Sequence, residues 1–173
     1  MPLRDANVVF QDTGPSLSAS QLAEVERALG RVLPPAYKAF LLQQNGGAPH
    51  PSWFRVQWGQ GQERCAGWDT GKVSYFLSVT DDDDDVSLLE CAETYEGRIP
   101  KDTVAIAFDP GGNLILIGTG DDNLGHILFW LQGEEPDEDD DNDDDDDDEC
   151  ETEPAYANVG RIAADLQSFI DGL

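Results

Sequence analysis

Between Glu134 and Glu153 the chain carries 16 acidic residues and no basic one. Such a stretch holds too few apolar side chains to offset the entropy of ordering it, so it is expected to stay mobile unless a partner orders it. Folded patterning nevertheless resumes beyond it. Val159, Ile162, Ala163, Leu166, Phe169 and Ile170 recur at the spacing of one helical face, with Asn158 as the N-cap. Residues 134–153 are therefore expected to form an acidic low-complexity loop, inserted between the last strand of a domain and its C-terminal helix. An insertion of that length is uncommon in a compact domain without a functional or linker role.

Outside the tract the remaining 20 acidic residues stand against 10 basic ones, so the net charge of −26 is largely a local device. A field of that sign repels nucleic acid and anionic membrane, and attracts basic proteins and cations. Neither nucleic acid nor membrane is an expected partner. The length of 173 residues suits one domain over residues 1–173, with a core that needs no staples. Cys65, Cys91 and Cys150 show no CxxC or Cys/His spacing, which predicts free thiols in a reducing cytoplasm. No charged head followed by an apolar run opens the chain, and no apolar run reaches the ~18–20 residues of a membrane span.

Ser18 and Gln21 fit a capping box, and Leu22, Val25 and Leu29 follow at helical spacing up to Gly30. Pro34-Pro35 opens a second helix with Tyr37, Phe40 and Leu41 on one face, closed by Asn45-Gly46-Gly47. The period then becomes two. Phe54, Val56 and Trp58 alternate with Arg55 and Gln57 as a half-buried strand, which puts Trp58 on the core face and Trp53 on the other. A second strand is predicted over Val73 to Val79, and a short helix over Val86, Leu88, Leu89, Ala92 and Tyr95. Thr103 to Phe108 and Leu114 to Ile117 read as a hairpin about Asp109-Pro110-Gly111-Gly112-Asn113. His126 to Leu131 is nearly all apolar and so should lie inside the sheet. The sum is an α+β fold.

This arrangement resembles the SUKH superfamily, the group that includes the yeast cell-wall assembly regulator and many bacterial immunity proteins. The resemblance runs from about residue 18 to residue 172. It is carried by Leu22, Glu26, Leu29-Gly30, Leu33-Pro34, Tyr37, Phe40-Leu41 and Asn45-Gly46-Gly47, then Arg98-Ile99-Pro100, Ile106-Ala107-Phe108-Asp109 and Gly112-Asn113. It continues through Gly125-His126-Ile127-Leu128-Phe129-Trp130, Ile162-Ala163 and Ser168-Phe169. It implies a mixed fold: an antiparallel sheet of about five to six strands with N-terminal and C-terminal helices packed on it. It also implies a non-enzymatic antidote that binds a polymorphic toxin domain, many of which are nucleases, or else a regulatory scaffold like the eukaryotic relatives. The purity of the aspartate tract departs from the family pattern.

Extended aspartates place one charge every ~3.3–3.6 Å, close to the ~3.4 Å spacing of phosphates along one DNA strand. Asp137, Glu138, Asp139, Asp140, Asp141, Asp143, Asp144, Asp145, Asp146, Asp147, Asp148 and Glu149 are thus the candidate contacts to a basic partner. Asp81 to Asp85 form a second acidic run, of which Asp81, Asp82, Asp83 and Asp84 are candidate contacts; helix capping would explain two of the five. Trp53 is a candidate aromatic anchor, though packing a loop on the sheet is the plainer reading. The expected complex is a monomer bound 1:1 to a cognate basic toxin domain. Neither aspartate run contains the glycine that an EF-hand loop needs, so no specific metal site and no cofactor are expected. The histidines, His50 and His126, fall in no catalytic motif, and no P-loop or G-x-S-x-G is present, so no enzymatic activity is expected.

Overall fold

The computed structural model of the chain describes residues 7–60, 62, 65, 67–81, 87–134 and 158–173. Among them the elements run β1 (Val9–Gln11), α1 (Ala19–Leu29), α2 (Pro35–Gln44), β2 (Ala48–His50), β3 (Trp53–Arg55), β4 (Thr70–Lys72), β5 (Tyr75–Phe76), α3 (Leu88–Thr94), β6 (Thr103–Phe108), β7 (Leu114–Gly118), β8 (Ile127–Trp130), β9 (Val159–Ala163) and α4 (Leu166–Asp171). A five-stranded antiparallel sheet has the order β5-β6-β7-β8-β9, and two ribbons pair β1 with β2 and β3 with β4. The α+β class and the helix-on-sheet architecture hold.

The predicted caps are present. Ser18 Oγ accepts from the Gln21 amide at 3.2 Å, and Gln21 Oε1 accepts from the Ser18 amide at 2.9 Å. Gly30 ends α1 at φ 67°, a left-handed backbone that glycine adopts without penalty. Between the two helices, Glu26 Oε1 accepts from the Leu33 amide at 2.8 Å and lies 3.3 Å from Lys38 Nζ. The acidic residue of the helical motif thus fixes the angle at which α2 departs.

The helices meet the sheet through an aromatic cluster. Phe40 of α2 and Phe169 of α4 both pack on Phe76 of β5, and Phe54 of β3 packs edge-on against Phe129 of β8. On the opposite face Trp130, fully buried, meets Tyr95, and the Arg98 guanidinium lies 5.4 Å from the Trp130 ring. Burying apolar rings of this size supplies the main driving force, at about 25 cal/mol for each Å² removed from water.

Two predicted elements differ. The strand over Val73 to Val79 is broken, because the chain changes sheets there. Thr70–Lys72 pairs with β3 and Tyr75–Phe76 with β6, while the Val73 amide donates to Ser52 O and the Ser74 amide to Phe108 O. The C-terminal helix from Asn158 is also shorter than its pattern suggests. Val159–Ala163 is a strand on the edge of β8, and α4 starts only at Leu166, capped by Asp165, whose Oδ1 accepts from the Ser168 amide at 2.7 Å. Val159 and Ile162 are β-branched and Gly160 disfavours a helix, and pairing satisfies the backbone edge of β8.

Gly160 also sets how the β3 segment seats. A methyl group there would meet Trp58 Cε3 at 2.9 Å and would overlap Val56. Gly160→Ala should therefore lower stability by about 1–3 kcal/mol, the usual effect of overpacking. The urea midpoint would report it, and an unchanged midpoint would show that the β3 segment can yield.

Candidate partner-binding surface

The apolar run of β8 ends at Trp130, paired with Val159 of β9. Just beyond, the chain on either side of the acidic stretch is tied to itself. The Leu131 amide donates to Asn158 O at 3.0 Å, and Asn158 Nδ2 donates to Leu131 O at 2.8 Å. Asn158 is buried, with 1% of its surface exposed, so it clamps the two chains instead of capping a helix. A 3-10 turn, Gln132–Glu134, follows. The Gln132 amide donates to Asn113 Oδ1 at 3.0 Å, and Asn113 Nδ2 donates to Asp109 Oδ2 at 2.9 Å. Asp109 Oδ1 in turn accepts from the Gly111 and Asn113 amides, each at 2.8 Å. The hairpin turn Asp109–Asn113 and the β8–β9 pair therefore form one rigid base from which residues 135–157 depart and to which they return.

Asp137 to Glu149 lie outside the described residues, as do Asp82, Asp83 and Asp84. Asp81 is described and exposed. Strand register places Tyr75, Phe108, Leu114, Trp130 and Val159 along one end of the sheet. Beyond Phe76 the chain continues towards the Thr103 end, where the Leu77 amide donates to Ile106 O. Asp81 and Glu134 thus lie beyond opposite ends of the sheet, whose strands are ~17–20 Å long. Capping does not account for the second run, because Ser87 caps α3: its Oγ accepts from the Glu90 amide at 3.1 Å.

Trp53 is 62% exposed, on the outward face of the β3–β4 ribbon. Register sets it opposite Lys72, and Arg55 opposite Thr70. The alternation of β3 already turned Arg55 outward with Trp53. Lys72 carried no such signal, since its place depends on which strand β4 pairs with. A concavity of about 610 Å³ lies between α1, α3 and the start of β6. Of the two cations that line it, Arg31 and Lys101, Arg31 is engaged, donating from Nη1 to Lys101 O and, at 3.1 Å, to Thr103 O.

Among the described residues, Cys65, Cys91 and Tyr37 have their neutral forms favoured. Burial, and secondarily the charge of Glu90, pushes the Cys91 thiol up to about 11. Burial, then Glu134, raises Cys65, and burial, then Cys91, raises the Tyr37 phenol well above its ordinary range. A protonated, enclosed thiol is a poor nucleophile. The sign of the pH effect follows. An unfolded thiol ionises near 9.0 and folded Cys91 only near 11, so its contribution is intact below pH 9 and fades as pH rises through 11. The urea midpoint should fall over that interval, less steeply in Cys91→Ala, and equal slopes would remove Cys91 as the cause. His50 is exposed on β2 and His126 half-buried before β8. Among the described residues no cluster of three or more His, Cys, Asp or Glu side chains is placed to hold a metal ion, and no helix is long and apolar enough to cross a membrane.

The profile of the SMI1 / KNR4 family (SUKH-1) matches residues 16–172. No curated protein and no solved structure matches the chain. The match spans every described element from α1 to α4, including the Glu26 and Asn45 contacts and the base that carries the acidic stretch. The chain belongs to the SMI1 / KNR4 family (SUKH-1), whose members are generally non-enzymatic immunity or regulatory proteins that act by binding protein partners.

Proposed function

We propose that this protein is an immunity protein that neutralises a cognate basic toxin domain, a nuclease being favoured, by stoichiometric binding. The single observation behind this reading is the 16-residue excess of carboxylates between Glu134 and Glu153, in a chain of a partner-binding family. The carboxylates from Asp137 to Glu149 stand in for the phosphates of the toxin's substrate and occupy its groove. Asp81 to Asp84 extend the acidic contact and Trp53 anchors its margin. Binding is 1:1, in the cytoplasm, and needs no cofactor. The folded domain holds the acidic stretch at the Leu131–Asn158 clamp and takes no part in chemistry.

The test is calorimetric titration, at low salt, of the toxin domain encoded beside this protein's gene. A 1:1 complex that suppresses the toxin's activity is expected. Absence of a complex would sink the reading and leave a regulatory adaptor, with the acidic stretch as a spacer, as the better description.

A further inference from the structure

The β3–β4 ribbon ends beside an opening that the fold leaves unfilled. Gln57 and Arg161 exchange backbone hydrogen bonds, at 2.7 and 2.9 Å, and join the ribbon to the edge of β9. The same antiparallel register, continued, would set Arg55 opposite Ala163. Among the described residues no backbone hydrogen bond joins those two. The strands diverge instead, leaving a groove of about 580 Å³ between Trp53–Arg55 and Ile162–Ala163, floored by Phe54 and Phe169.

Among the described residues, the Trp53 and Arg55 backbone on the β3 side of this groove has no pairing partner on that edge. Along β3, Ser52 O accepts from the Val73 amide and the Val56 amide donates to Asp69 O, both at 2.8 Å. Alternate residues of a strand turn their N–H and C=O to opposite edges, so those of Trp53 and Arg55 face the groove. Exposed strand edges of this kind accept an added strand.

The side chains select its charge. Register puts Trp53, Arg55, Thr70 and Lys72 on the outward face of the ribbon, with no carboxylate among them; all four are exposed, as are Gln57, Trp68 and Asp69 just beyond. The tryptophans are 62% and 44% exposed. Within a chain of 36 acidic and 10 basic residues, two exposed cations flank them, with no ion pair to either among the described residues. Asp165, which follows β9 and does not line the groove, is committed to capping α4.

We infer that this groove binds an extended, carboxylate-bearing peptide segment of a partner protein. The segment adds as a strand to the Trp53–Arg55 edge. One apolar side chain rests on Phe54 and Phe169, and its carboxylates meet Arg55 and Lys72, where a guanidinium can bind in a bidentate fork. This site has the opposite charge preference from the acidic stretch and lies at the Ala163 end of β9, away from Val159. It stands whether or not the toxin-binding reading does.

The full chain would be panned against a displayed library of random 12-residue peptides, and the most enriched sequence synthesised. Expected are peptides rich in Asp or Glu beside a bulky apolar residue, with amide shifts on titration at Trp53, Arg55 and Ala163. Affinity should fall about tenfold in Arg55→Glu/Lys72→Glu and stay unchanged in Arg27→Glu, a charge reversal on α1. The milder pair Arg55→Gln/Lys72→Gln should lie between, with the urea midpoint confirming that all variants fold. Failure to enrich any peptide, enriched peptides without net negative charge, or shifts confined to other elements would overturn the proposal. So would a dimer in sedimentation that Trp53→Ser dissolves, which would make the face a contact between copies of this chain.

Discussion

Exchange of every Asp and Glu from Asp137 to Glu149 for Asn or Gln is expected to slow capture of a basic toxin domain by about 10- to 10³-fold. The exchange alters 12 charges and moves the formal net charge from −26 to −14. The long-range field steers encounter, so the loss should appear mainly in the association rate and shrink as salt rises. At physiological ionic strength charges interact over only about 8 Å, so the steering part vanishes there first. Any residual effect would report direct contact between carboxylates and the toxin groove. Folding should be untouched, because the stretch is rooted on the Leu131–Asn158 pair and the Asp109–Asn113 turn, none of which changes. Stopped-flow association across a salt series reads the rate, and urea unfolding reads the fold. An association rate indifferent to both salt and the exchange would remove the electrostatic mechanism even if the complex persisted.

Asn45→Ala is expected to cost about 3–5 kcal/mol, a large share of the ~5–15 kcal/mol that stabilises a domain of ordinary size. Asn45 is 1% exposed and closes α2 at φ 46°. Its Nδ2 donates to Pro15 O at 2.7 Å and to Val79 O at 2.9 Å, and its Oδ1 accepts from the Val79 amide at 2.8 Å. Its own carbonyl accepts from the Gly14 amide. One side chain thus joins the N-terminal segment, the end of α2 and the chain leaving β5. Alanine strands these partners out of water, and it lacks the short polar side chain that makes the left-handed backbone tolerable for asparagine despite its Cβ. Asn45→Gly relieves the backbone and still loses the bonds, so its midpoint should fall between alanine and the native chain. An alanine variant within 1 kcal/mol of native would mean that water replaces the side chain. Gly46 follows at φ 81°, where an added Cβ would sit 2.6 Å from Phe76 O. The Asn-Gly-Gly motif is therefore a stitch between helix and sheet as well as a helix stop.

The helices α1 and α2 and the hairpin β6–β7 were legible residue by residue, because each rests on local chemistry: a capping box, a proline at the first turn, a glycine-rich turn between apolar strands. Val159–Ala163 was not. Apolar spacing of three and four residues fits a helix face, and only the vacant edge of β8 decides for a strand. The break between β4 and β5 was hidden for the same reason, since Val73 and Ser74 read as strand residues whichever sheet they serve. Of the candidate site, the tract and Trp53 were visible. Asn158 was seen but given a cap's role, because its true partner, Leu131, lies 27 positions away.

By itself the sequence determined the class of fold, the family, and the concentration of negative charge between two folded segments. The class and the charge follow from composition and from periodicities that act over a few residues, and the family from the order of motifs along residues 16–172. Tertiary structure alone decided that the acidic stretch leaves from a closed, hydrogen-bonded base, and that Asp81 departs from the other end of the sheet. It alone turned Lys72 to the same side as Trp53 and Arg55, and parted β3 from β9 beyond Gln57. The physical reason is that these features are pairings between distant strands. A strand's register depends on which edge is free when it docks, and no local pattern of residues records that.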